Sequence, residues 1–195
     1  MKKLTALFMV SLFACAAFSQ GHFRVQAGPV LDFLRSEGNG YSFPNVNAGF
    51  TFGFAYEMVA SPNFSVQPEL NYSIYNTLET VTSTKIKLQY VQIPVLLKLV
   101  NEHHTFGFYL GPQLGFLASA NARTSGNNTD IRNNLTQNDF SGMVGMEFAF
   151  THNLLVNLRY TQGFSNVYKV EFDSPSKTRL EAVGLTLSYL FDKKK

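Results

Sequence analysis

From Val46 to Met58 the chain reads VNAGFTFGFAYEM, with an apolar side chain at every second position. Val46, Ala48, Phe50, Phe52, Phe54, Tyr56 and Met58 share one face of an extended strand. Asn47, Gly49, Thr51, Gly53, Ala55 and Glu57 share the other. A period of two is the mark of a β-strand whose faces meet different surroundings. The same alternation runs through His22–Phe33, Phe64–Ile74, Thr105–Ala118, Phe140–Phe150, Leu154–Gln162 and Arg179–Phe191. Adding Leu88–Leu99 (LQYVQIPVLLKL) makes eight candidate strands. Their length is the strongest constraint. Soluble strands run about 5–6 residues, whereas a tilted strand crossing a bilayer needs about 9–11. These run roughly 10–14, the longer class.

In hydrocarbon every backbone N–H and C=O must pair internally, so a sheet can span a membrane only as a closed barrel. The expected fold is therefore all-β: an eight-stranded antiparallel up-and-down transmembrane β-barrel. The connections agree. Ala60–Asn63, Asn101–His104 and Thr151–Asn153 are short; Leu34–Asn45, Asn76–Ser83, Ser119–Asn138 and Val167–Lys177 are longer. Short periplasmic turns alternating with longer outer loops are the habit of outer-membrane barrels, and place both termini in the periplasm.

Composition fits a chain facing lipid. Charged residues are 15% of the total, against roughly 25% in soluble domains. The net charge of +3 is too slight for a nucleic-acid partner. The segment MKKLTALFMVSLFACAAFSQ has a basic start, an apolar stretch and small residues before Gln20. It reads as a secretory signal peptide over residues 1–19, cut before Gln20, with one barrel domain over 20–195. The single cysteine, Cys15, lies inside that signal, so the exported chain has no disulfide chemistry.

If the phenylalanines face lipid, the opposite phase faces the lumen. Arg24, Asp32, Glu57, Glu69, Lys98, Glu147 and Arg159 fall there. Eight strands leave an interior that side chains alone can fill, and an unpaired charge in it would cost several kcal/mol. A structural lumen network is expected, with Glu57, Glu69 and Glu147 as acids and Arg24, Lys98 and Arg159 as partners. The competing reading inverts the faces: a soluble, exported, lipocalin-like barrel with its apolar face inward around an apolar ligand.

Pro94 sits inside the greasiest segment. Upstream the apolar phase is even (Ile86, Leu88, Tyr90); downstream it is odd (Val91, Ile93, Val95, Leu97, Leu99). One explanation is a β-bulge between Tyr90 and Val91, where proline is tolerated. The other is that Thr84–Gln89 rises above the membrane, where lipid no longer dictates the outward face.

The segments YVQIPVLLK (Tyr90–Lys98) and GFYLGPQLGF (Gly107–Phe116), then GMVGMEF (Gly142–Phe148), RYTQGF (Arg159–Phe164) and LTLSYLF (Leu185–Phe191), are similar in order to the PorT-like outer-membrane β-barrel family. The resemblance covers nearly all of the exported chain. It implies an eight-stranded barrel in a bacterium with two membranes. The family's named member takes part in protein secretion, a role that a likeness of fold does not carry over by itself. Outer-membrane strands commonly finish on an aromatic residue; here Phe191 is followed by Asp192 and three lysines.

No catalytic, cofactor or metal site is expected. His22, His103, His104 and His152 fall at the periplasmic end, and the long loops hold neither His nor Cys. A nucleophile–base pair needs its members within hydrogen-bond reach, and the histidines lack metal-ligand spacing. Tyr41, Phe43, Tyr75, Tyr160, Phe164, Tyr168 and Phe191 are candidates for interfacial girdles. Expected partners are outer-membrane lipid and a surface or envelope protein met through the loop Ser119–Asn138. The function expected is that of a non-enzymatic barrel in the cell outer membrane, with a plugged polar lumen and a structural or surface-interaction role.

Overall fold

Alternating faces demand a sheet, and an absence of free edges demands that it close. A computed structural model describes residues 21–37, 46–79, 84–124, 127–167 and 177–191. The signal segment, its cut before Gln20, and Tyr41, Phe43 and Tyr168 lie outside the described residues. The strands are β1 (Gly21–Glu37), β2 (Asn47–Ser61), β3 (Phe64–Glu79), β4 (Thr84–Val100), β5 (Phe106–Thr124), β6 (Asn127–Asp130), β7 (Asn138–Ala149), β8 (Leu154–Gly163) and β9 (Lys177–Phe191). Neighbours pair antiparallel in the order β4-β3-β2-β1-β9-β8-β7-β5, and β4 pairs with β5 to close an eight-stranded barrel. The short β6 folds back on the outer end of β5 as a hairpin. Several strands outrun the alternating segments, and β4 and β5 reach 17 and 19 residues.

The faces are inverted relative to a soluble barrel. Phe50, Phe52 and Phe54 are 46%, 45% and 49% exposed, while Glu57 and Glu69 are 6% and 3% exposed. An apolar cavity for a lipocalin-like ligand would need the reverse, so that alternative is set aside. Outward apolar side chains follow each barrel strand, from Phe23 to Leu31 on β1 and from Leu185 to Phe191 on β9. The periplasmic rim of this belt is aromatic, with Phe23 stacked on Phe54 and Tyr189 against Phe191 at ring-centroid distances of 5.8 and 5.0 Å.

The prolines follow one rule. A strand residue directs its N–H and C=O to the same neighbour, so a proline weakens one seam only. Pairing lapses between β1 and β9 beside Pro29, between β2 and β3 beside Pro68, between β3 and β4 beside Pro94, and between β4 and β5 beside Pro112. On its other side each proline stays in register, opposite Phe50, Val95, Gln113 and Gly142 respectively. Pro94 itself points into the lumen and is fully buried.

The expected bulge in β4 needs correction. Ile86, Leu88, Tyr90, Gln92, Leu96 and Lys98 are all buried, so β4 keeps one phase throughout. The register does shift beside Gln89 and Tyr90, but the extra residue is Ala118 on β5: Gln89 faces Ser119 and Tyr90 faces Leu117. What changes along β4 is the surroundings. Above the belt its outward residues are Lys87 and Gln89, so the inward ones become the apolar set, as in a soluble barrel.

That upper level holds an apolar core. Val30, Tyr75, Ile86, Leu88, Tyr90, Leu117, Ala120, Leu135, Val167, Leu180 and Ala182 pack together inside the barrel. Leu135 comes from the connection between β5 and β7, just after a 3-10 turn at Arg132–Asn134. Tyr75 is thus a core residue bonded to Gln92, not a girdle residue; Phe191, Tyr160 and Phe164 do lie on the outer face.

Two stability measurements follow. Leu187→Arg places a charge on the lipid face and is expected to lower unfolding free energy in vesicles by about 2–4 kcal/mol; a loss under about 1 kcal/mol contradicts the outward assignment. Leu135→Ala is expected to cost about 2–5 kcal/mol, while exposed Asn134→Ala leaves the urea midpoint unchanged; equal midpoints for the two variants contradict the inward seating of Leu135.

Candidate functional site

In a barrel this narrow, the lumen-facing side chains of opposite walls meet. Each strand contributes every second residue, and small residues make room for large ones. Gly145 is one such position: a Cβ there would lie 2.5 Å from the ring of Tyr109. Into the space left open project the charges at the periplasmic half.

Four of them form a ring of alternating sign. Arg24 on β1 donates through Nη1 to Glu147 Oε2 on β7 at 2.6 Å, and through Nη2 to Glu57 on β2. Lys98 on β4 lies 3.3 Å from Glu57 and also pairs with Glu147. The ring therefore runs Arg24–Glu57–Lys98–Glu147 and joins β1, β2, β4 and β7 across the lumen. Ser65 Oγ donates to Glu57 Oε1 at 2.7 Å.

A second cluster lies beside it. Arg159 on β8 donates through Nη1 to Glu69 Oε2 at 3.0 Å and through Nη2 to Gln26 Oε1 at 3.1 Å. Glu69 also accepts from Gln26, Gln67 and Asn71 at 2.7–2.8 Å. The Arg159 guanidinium stands 5.7 Å from the centroid of the Tyr109 ring. The six expected residues thus fall into two groups, with three acids against three bases, all buried.

Asp32, also inward, lies elsewhere: it is fully buried higher on β1, with the Asn76 backbone N–H at 3.4 Å. Between the charges and the apolar core is an uncharged polar tier. Ser73 Oγ donates to Gln92 Oε1 at 2.6 Å and lies 2.9 Å from Thr51 Oγ1, and Gln113 donates to Ser141 at 3.0 Å. From the periplasmic end outward, the lumen passes from charged to polar to a largely apolar tier that includes Asp32 opposite Ala182.

Charge alone picked out six side chains and missed Gln26, Ser65, Gln67, Asn71 and Tyr109, which bind or pack against them. Their signal was present in the phase: all five share the lumen-facing register of their strands. A carboxylate has about four acceptor positions, and a single guanidinium or ammonium leaves several of them unfilled.

His22 lies opposite Glu57 in register between β1 and β2. His103, His104 and His152 are exposed on turns at the opposite end from the β5–β7 connection, and His22 is half-buried near the start of β1. Among the described residues, no three His, Cys, Asp or Glu side chains gather as a metal site.

The fold is shared with proteins of known structure. Neisserial surface protein A is similar to this chain at 15% identity and a TM-score of 0.63, over 89% of this chain and 100% of its own. Ail, the attachment invasion locus protein of Yersinia pestis, is similar at 17% identity and a TM-score of 0.56, over 88% and 99%. Ail in complex with the heparin analogue sucrose octasulfate aligns at 15% identity and a TM-score of 0.54, over 88% and 99%. At these identities the likeness is one of fold. No curated protein sequence matches the chain. The model of the outer membrane protein beta-barrel domain matches residues 16–169. With lipid-facing phenylalanines, a closed antiparallel wall and that match over most of its length, the chain belongs to the outer membrane protein β-barrel domain family.

Proposed function

We propose that this outer-membrane barrel is non-enzymatic, that its own side chains plug its lumen, and that its outer loops serve a structural or surface-interaction role. The observation that supports the plug is the sequence of tiers inside the wall. A periplasmic ring of paired charges, a polar tier and the apolar core around Leu135 lie one above another. A water-filled pore needs a lumen that stays polar to its mouth, whereas here the outer tier is largely apolar. The charge groups act as ties between walls: Arg24 reaches two other strands and Arg159 reaches β1 and β3.

The protein would carry a signal peptide over residues 1–19, cut before Gln20, and would be kin to the PorT-like family. Both rest on sequence motifs, and an association with secretion rests on that kinship alone. The expected surface partner would meet the Ser119–Asn138 segment, where Arg123, Arg132 and Asn134 are exposed while Leu135 anchors the segment in the core. Ail was solved with a sulfated heparin analogue; a polyanionic partner for this chain would likewise engage Arg123 and Arg132.

Conductance tests the plug directly. Purified protein in planar bilayers is expected to give no steady ion conductance, and open channels of porin size would refute the reading. The ties are tested separately. Arg159→Met strands the Glu69 carboxylate and is expected to cost about 3–5 kcal/mol in urea unfolding. Arg159→Met combined with Glu69→Gln should recover much of that loss, because breaking a buried pair costs more than replacing both members. A double variant as unstable as the single one would count against the pairing.

A further inference from the structure

Glycines in the strands face the lumen at Gly28, Gly49, Gly53, Gly107, Gly111, Gly115, Gly145, Gly163 and Gly184, where burial is expected of the inward phase. Gly142 does not: its neighbours in register, Pro112 on β5 and Gln162 on β8, are outward positions. Apart from Gly21 at the very start of β1, it is the one described strand glycine on the outer face. A lipid-facing wall gains nothing from an absent side chain there, since its outward neighbours along β7, Phe140, Val144, Met146 and Phe148, all add apolar area.

The absence makes a groove. It has a volume of about 450 Å³ and runs over Gly142 between Leu110, Pro112 and Val144 on one side and Phe140, Tyr160 and Phe164 on the other. Phe140 and Phe164 form one wall, with ring centroids 5.8 Å apart. Phe164 leans over the glycine, so that a Cβ there would lie 3.2 Å from its ring. The lining is almost wholly apolar, with Tyr160 and Gln162 along its β8 side.

The Phe140–Phe164 pair is the part of the groove nearest the outer loops, since Tyr160 and Gln162 pair with Val144 and Gly142 further down β7, and Asn138 and Asn166 follow two residues beyond the pair. Tyr160 Oη lies 2.7 Å from Gln162 Oε1 and 3.0 Å from Glu181 Oε2, and Gln162 Nε2 donates to Glu181 Oε1 at 3.0 Å. Arg35, its side chain 66% exposed, stands 3.6 Å from Glu181. Outward Arg, Glu and Gln side chains belong at headgroup level, not in the acyl region. The groove therefore begins at the headgroup boundary of the outer leaflet and descends into hydrocarbon, which fixes the kind of molecule that meets it.

We propose that this groove is a binding site for one fatty-acyl chain of an outer-leaflet lipid, held beyond the residence of ordinary surrounding lipid. Gly142 supplies the floor, the Phe140–Phe164 pair and Val144 supply the walls, and the Tyr160–Gln162–Glu181 cluster borders the groove on its β9 side. The site is on the outer wall, so it is independent of whether the lumen is closed. Concave fit is what distinguishes it from the flat belt around it, because a chain lying in a groove touches protein on three sides.

Native mass spectrometry of the protein purified from outer membranes in mild detergent tests the site. Wild type and the control Ala27→Leu, an outward substitution on β1, are expected to retain one lipid per barrel. Gly142→Leu fills the groove and should lower the lipid-bound fraction at least tenfold. Val144→Phe narrows the groove from the other wall, should have the same effect, and keeps the test open if Gly142→Leu fails to fold by heat-modified gel migration. A wild type without retained lipid, or a folded Gly142→Leu or Val144→Phe barrel that keeps lipid at the wild-type level, overturns the proposal.

Discussion

Hydrocarbon offers no partner to a peptide group, and the architecture of this protein follows from that single deficiency. The wall must close on itself, so β4 meets β5 and no edge is left in the belt. Closure with eight strands makes a narrow interior. A narrow interior admits charge only where it is paired or hydrogen-bonded, and large side chains only where the opposite wall is small. The ring of Arg24, Glu57, Lys98 and Glu147 and the packing of Tyr109 over Gly145 are two consequences of one geometry. The lipid face is under the opposite demand, which phenylalanine and leucine meet.

The prolines show how far the same constraint bends. Pro29, Pro68, Pro94 and Pro112 each interrupt pairing on one side of their strand and keep it on the other. None breaks two adjacent seams at the same level, so the wall stays continuous around each interruption. The belt tolerates proline because a strand's hydrogen bonds alternate between its two neighbours, and the damage from one missing donor stays local.

The barrel was legible because its strands repeat one pattern in a chain poor in charge. Outward phenylalanines, inward charges and the alternation of short and long connections all read directly from residues. The Leu88–Leu99 segment shows what was hidden. Its hydrophobic phase reverses near Tyr90, and a reversal of phase is normally evidence for a bulge. Here the strand leaves the bilayer and the solvent reverses instead; the bulge lies across the seam at Ala118, on a strand whose own pattern gave little sign of it. Leu135 was equally unreadable. It stands alone in a run of Asn, Thr and Gln, and nothing local distinguishes a loop leucine exposed to water from one seated in a core. In the lumen, charge drew attention to the six ionised side chains, while the amides that complete their hydrogen bonding required the phase of four strands at once.

The account stands on the direction in which the two faces of each strand look. Cys15 is the one cysteine of the sequence, so on a Cys15→Ser background a spin label can be placed at successive single sites along Val183–Phe191 in reconstituted membranes. Power-saturation contact with oxygen, which concentrates in hydrocarbon, is predicted to be high at 185, 187, 189 and 191 and low at 184, 186, 188 and 190. High oxygen contact at the even positions, or water-soluble relaxant reaching the odd ones, would contradict it.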